Sequence, residues 1–133
     1  MSEGYDVAIS FLARDEPTAA ELYSKLSDGL NVFFFPRNQE DLAGSDGLES
    51  MRTPFLTARV LVVLYRPPWG ETPWTRVEQT AIAERCLNDG WDHLLFVVLD
   101  STSAVPKWVP NTRVALGLDS NRFFDLLIGR LSS

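Results

Sequence analysis

The chain has 133 residues, 45% hydrophobic and 23% charged, a composition that fits one globular domain and excludes wholesale disorder. Twelve basic against eighteen acidic residues leave a net charge of −6, which opposes long-range attraction to a nucleic-acid backbone or an anionic membrane. A single cysteine, Cys86, excludes an intrachain disulfide. The polar, acidic Met1-Ser2-Glu3-Gly4 is unlike a secretory or transit signal, and no apolar run approaches the roughly 20 residues that span a bilayer. The expectation is one cytoplasmic domain over 1–133, with no membrane and no direct nucleic-acid partner.

Short apolar runs alternate with amphipathic stretches, the pattern of a mainly parallel sheet with helices between its strands. Tyr5 to Phe11 predicts the first strand. Pro17 and Thr18 open a helix through Leu26, with Ala19, Leu22, Tyr23 and Leu26 at helical spacing, ended by Asp28-Gly29. Val32 to Phe35 predicts a second strand, stopped by Pro36. The polar loop Arg37 to Gly47 is long against the usual connection of about 2–6 residues, and long loops in compact domains are more often functional. A short helix follows from Leu48 to about Leu56, with an end that Pro54 makes irregular.

Val60 to Tyr65 is apolar on both faces, as a central strand covered on each side must be. After the loop Arg66 to Pro73, a helix is predicted from Trp74 to about Leu87, with Asn88-Asp89-Gly90 as its stop. Leu94 to Leu99 gives a fourth strand and Asp100 through Thr112 a loop. Arg113 to Leu118 gives an edge strand, and Phe123 to Leu131 a closing helix. The fold class is therefore α/β, a doubly wound five-stranded parallel sheet of flavodoxin-like kind. In such sheets ligands sit outside the carboxyl ends of the strands, near the topological switch point.

Standard catalytic frameworks are missing. The sole histidine, His93, has no ligand-spaced partner, and reads as a residue leading into the fourth strand before it reads as a metal ligand. No G-x-S-x-G elbow, P-loop or G-x-G-x-x-G occurs. Cys86 reads as a small buried hydrophobe before it reads as a reactive thiol. What remains is Trp74-x-x-x-Glu78 at the start of the third predicted helix. Thr72 is the expected N-cap and Pro73 the first helical residue. Residues four apart share a face, which puts Trp74 and Glu78 one turn apart. Val77 and Ala81 mark the buried stripe, with Glu78 at its edge. Thr75-x-x-Glu78 also matches a capping box, in which Glu78 would only satisfy a backbone N–H. Local pattern leaves both readings open.

Across nearly its whole length the chain resembles the Toll/interleukin receptor (TIR) family. Tyr5 to Phe11 is similar to the family's first-strand signature, and Asp41 to Asp46 to its Gly-containing loop. Val60 to Pro67 is similar to the third strand and its exit, and Trp74 to Glu78 to the motif around the catalytic glutamate of NAD-cleaving members. Val105 to Pro110 is familiar from bacterial relatives. The resemblance implies a five-stranded flavodoxin-like domain that splits the nicotinamide–ribose bond of NAD by hydrolysis or cyclisation. It also implies a role in bacterial anti-phage immunity or signalling, and activation by self-assembly.

NAD is then the substrate, with no cofactor and no metal. Glu78 is the catalytic residue, and Ser10, Phe11, Trp74, Ala43, Gly44, Ser45 and Arg66 are substrate-binding. Other TIR domains, in a homo-oligomer or filament, are the expected partners, with an activating partner or a fused sensor domain. Arg66 stands where the family often has serine; it either pairs with an NAD phosphate or is a solvated loop residue. Phe35-Pro36 replaces an acidic position. The alternative function is a silent TIR adaptor acting through TIR–TIR contacts.

Overall fold

The computed structural model describes residues 5–34, 52–67, 69–90, 93–99 and 114–116. Among the described residues five strands form one parallel sheet: β1 (Val7–Ser10), β2 (Val32–Phe33), β3 (Val60–Tyr65), β4 (Leu94–Val98) and β5 (Val114–Leu116). Their order is β2-β1-β3-β4-β5, so the chain steps outward from β1 in one direction and then returns past it in the other. The reversal puts the topological switch point between β1 and β3, which pair from Val7↔Val60 to Ser10↔Val63. The α/β, flavodoxin-like expectation holds, including the edge strand β5.

Alternation along the strands sorts side chains onto two buried faces. Val7, Ile9, Val60, Val62 and Leu64 pack with Ala19, Leu22 and Leu26 of helix α1 (Glu16–Leu26). Ala8, Leu61, Val63 and Tyr65 face the other way, onto Phe55, Ala81, Ile82 and Cys86. Phe55 belongs to α2, helical over 52–57; the last three belong to α3 (Pro73–Asp89). Every β3 residue is buried, as expected of a strand covered on both sides. Ser10 has the parity of Ala8, so it turns toward the α3 side.

Several predicted boundaries shift. Helix α1 begins at Glu16, after a 3-10 turn over Ala13–Asp15, one residue ahead of Pro17. A proline in a first turn surrenders no helical hydrogen bond, so it marks a start without fixing the first residue. Tyr23 is more exposed than the rest of its predicted stripe, and its ring stacks on Phe34 at 5.3 Å. Residues 52–57 stay helical through Pro54, whose carbonyl accepts from the Ala58 amide at 2.9 Å. Proline removes its own donor but keeps its acceptor, so the helix goes on past it. Helix α3 outruns its predicted end by two residues to Asp89, where Gly90 at φ 94° turns the chain out. The predicted loop Arg37 to Gly47, the loop Asp100 through Thr112 and the closing helix Phe123 to Leu131 lie outside the described residues.

Candidate functional site

The connection from β3 to α3 is built by a chain of short-range hydrogen bonds. The Trp69 amide donates to the Arg66 carbonyl at 2.9 Å, closing a tight turn as the chain leaves the sheet. Gly70 follows at φ 87°, a conformation that side-chain-bearing residues rarely adopt. Its amide donates to Thr75 Oγ1 at 2.8 Å. Thr72 is the N-cap of α3, accepting from the Thr75 amide at 3.3 Å, while the Thr72 amide donates back to Thr75 Oγ1 at 3.3 Å. The capping box is therefore Thr72–Thr75. The sequence alternative, Thr75 with Glu78, is not the box that forms.

One turn further along, Glu78 is 0% exposed, and its Oε1 accepts from Ser10 Oγ at 2.6 Å, the length of a charge-assisted O–H···O bond. Ser10 Oγ in turn accepts from the indole Nε1 of Trp69 at 2.8 Å. Ser10 is itself 0% exposed and Trp69 3%. The last residue of β1, the exit loop of β3 and the second turn of α3 thus meet at the carboxyl edge, beside the switch point. A few residues away, Arg66 Nε contacts Asp15 Oδ1 at 3.1 Å and Oδ2 at 3.2 Å. Asp15 is buried and Arg66 half-buried. This pair ties the start of α1 to the end of β3 along the same edge.

Residues 7–128 match the family model described as TIR domain. The chain belongs to the TIR domain family. Its fold is similar to that of a metazoan TIR-STING receptor from C. gigas in complex with 2′,3′-cGAMP, with a TM-score of 0.62 and 17% identity. The match covers 97% of this chain and 40% of that one, so the chain spans well under half of the receptor's length. No curated protein matches the chain.

Within this TIR domain the expected site residues fall into three groups. Ser10 and Glu78 are brought together in direct contact. Glu78 sits on the fully buried face of α3 and not at the edge of its stripe: Thr75, Glu78, Ala81, Ile82, Arg85 and Cys86 are all buried, at spacings that make one helical face. Val77, expected on that stripe, is half-buried. The pattern of apolar residues alone misplaced the face because three of its six members are polar.

Phe11 lies wholly in the core, its ring stacked on Phe34 at 5.2 Å. Arg66 is half-buried and paired with Asp15. Trp74 takes its place in the first turn of α3. Ala43, Gly44 and Ser45 lie outside the described residues.

Two participants were missed. Trp69 stands in a Pro- and Gly-containing loop, where its only signal was a large apolar side chain beside a strand's carboxyl end. Asp15 lay in a polar run whose charge gave no hint that it is buried. His93 behaves as read: its Nδ1 lies 3.1 Å from the Arg59 carbonyl at the foot of β4. Cys86 is buried, and burial pushes its thiol up from 9.0 to about 11.

Proposed function

We propose that this TIR domain cleaves the bond between nicotinamide and ribose in NAD, with Glu78 as the catalytic carboxylate. The observation that carries the reading is the Glu78 carboxylate, buried at the carboxyl edge of the sheet and accepting from the Ser10 hydroxyl of β1. A carboxylate kept in such a place has a cost in desolvation, and capping α3 does not explain it.

One carboxylate suffices for this chemistry. The C1′–N bond breaks with its electron pair moving to the pyridinium nitrogen, so nicotinamide leaves neutral and needs no general acid, unlike a sugar alkoxide. The ribose left behind carries positive charge at C1′. An adjacent anion in a water-poor site stabilises it. Attack by water, with loss of a proton, gives ADP-ribose; attack by a hydroxyl of the same molecule gives a cyclic product. Ser10 holds Glu78 in place, and Arg66, once released from Asp15, is positioned to meet a phosphate. Trp74 and the segment Ala43 to Ser45 complete the binding surface in this reading.

In the isolated chain Glu78 and Ser10 are closed to solvent. Substrate entry therefore requires a rearrangement at this edge, and we assign that step to self-assembly with other TIR domains. The setting we propose is bacterial anti-phage defence or signalling, triggered through a partner or a fused sensor. The adaptor reading draws on one observation, Leu87, 79% exposed on the outer face of α3, which suits a protein contact without requiring catalysis.

Incubation of concentrated protein with NAD and chromatography of the products tests the two readings. The enzymatic reading predicts nicotinamide release rising more steeply than linearly with protein concentration, and its loss in Glu78→Ala. Silence at all concentrations, in protein shown to assemble, would favour the adaptor.

A further inference from the structure

We infer that Trp69 is a positioning residue for the proposed reaction, acting through Ser10 to fix the Glu78 carboxylate. The inference rests on the NAD-cleaving reading of Glu78 and adds a residue to it. An indole N–H is a donor only, whereas a serine hydroxyl has one proton and can turn it in several directions. Trp69 Nε1 sits 2.8 Å from Ser10 Oγ and occupies one of its lone pairs. The hydroxyl proton is thereby directed to the remaining acceptor, Glu78 Oε1, 2.6 Å away. The Trp69 end of this chain cannot be reversed, because an indole N–H donates and cannot accept, and the Ser10 hydroxyl donates on to Glu78.

The indole is itself clamped. Its ring packs edge-on against Tyr65 at 6.2 Å and against Phe96 at 5.7 Å. Its backbone is fixed by the turn to Arg66 and by Gly70, whose φ of 87° sends the chain on to the Thr75 hydroxyl. A positioned carboxylate does its work in the transition state, where small misplacements are expensive. Loss of the indole donor therefore falls on kcat and leaves KM nearly unchanged.

The test is a double-substitution cycle on nicotinamide release, using Trp69→Phe, Ser10→Ala and the pair, with thermal unfolding as the control for folding. Trp69→Phe keeps an aromatic ring against Tyr65 and Phe96 and removes the donor. The expected result is a fall in kcat of about tenfold, the scale of one net hydrogen bond, with KM within about twofold. In the Ser10→Ala background the same change has no further effect, since its route to Glu78 is already cut. Multiplicative losses in the pair, or a loss confined to KM, would overturn the inference.

A second measurement does not depend on turnover. In a 1H–15N spectrum the Trp69 indole resonance, assigned by its absence from Trp69→Phe, should shift and exchange faster in Ser10→Ala. An unmoved resonance overturns the relay. If the resonance moves in Ser10→Ala but the wild-type protein releases no nicotinamide, the catalytic role falls together with the enzymatic reading. An active protein with additive losses removes only the role of Trp69.

Discussion

A hydroxyl donating to a buried carboxylate is costly to remove, because the acceptor stays behind with its desolvation uncompensated. Ser10→Ala is thus expected to destabilise the domain by about 1–3 kcal/mol, read by urea unfolding; an unchanged midpoint would mean that the 2.6 Å contact to Glu78 contributes nothing to folding. Asp15 and Arg66 give a second case of the same logic. Asp15→Ala leaves the guanidinium of a half-buried arginine without this carboxylate and should cost a similar amount, whereas Asp15→Asn retains an acceptor and should cost less. Cys86 makes a pH-dependent contribution. Burial raises its thiol from 9.0 to about 11, so the unfolded chain ionises first. The contribution is full below about 9 and is lost as pH climbs toward about 11. Unfolding free energies of wild type and Cys86→Ala, measured against pH, should converge over that window. At this scale the sequence was readable where chemistry is local: a lone cysteine in a predicted helix, a histidine without ligand-spaced neighbours. It was silent where a charge is buried by something distant, as Asp15 is by the packing around β3.

Helix α3 is the element on which the site depends, and its two ends show what local sequence can specify. Thr72-Pro73 announced the N-terminus correctly, because capping is a matter of three or four adjacent residues. Replacing Thr72 with Ala should cost about 1 kcal/mol, seen as a lowered unfolding midpoint. Gly70→Ala is more damaging. The backbone there has φ 87°, which a residue with a side chain rarely adopts, while a Cβ would meet only the movable end of the Gln79 side chain; the strain falls on the loop that carries Trp69, and the proposed nicotinamide release should fall along with stability. Between its ends α3 was misread. Thr75, Glu78 and Arg85 share the buried face with Ala81, Ile82 and Cys86, so hydrophobic periodicity is diluted along the side that matters. Each of these polar groups has a partner from elsewhere in the chain: Gly70 for Thr75, Ser10 for Glu78, the Ala58 carbonyl for Arg85 at 2.7 Å. Partners outside the helix, two of them distant in sequence, are what a single helix's pattern does not contain.

The whole molecule was the most legible scale. Strand β3 is apolar at every position, which only a strand covered on both faces tolerates, and that one feature sets the rest of the layering. The order β2-β1-β3-β4-β5 then fixes where a ligand edge lies, and Ser10, Trp69 and Glu78 converge there. Leu64→Ala, in the core on the α1 side, should cost about 2–5 kcal/mol. Leu87→Glu, on the exposed face of α3, should leave stability within about 0.5 kcal/mol, so a fall in the proposed nicotinamide release in this variant would report on assembly and not on folding. The central claim is that the negative charge of Glu78 lowers the barrier to losing nicotinamide. The most direct measurement is the rate of nicotinamide release by Glu78→Gln, which keeps the shape of the side chain and an oxygen for the Ser10 hydroxyl but removes the charge. The account predicts a fall of at least about 100-fold, the scale of one electrostatic contact to a transition state, with the unfolding midpoint little changed. A well-folded Glu78→Gln protein that releases nicotinamide at the wild-type rate would contradict it.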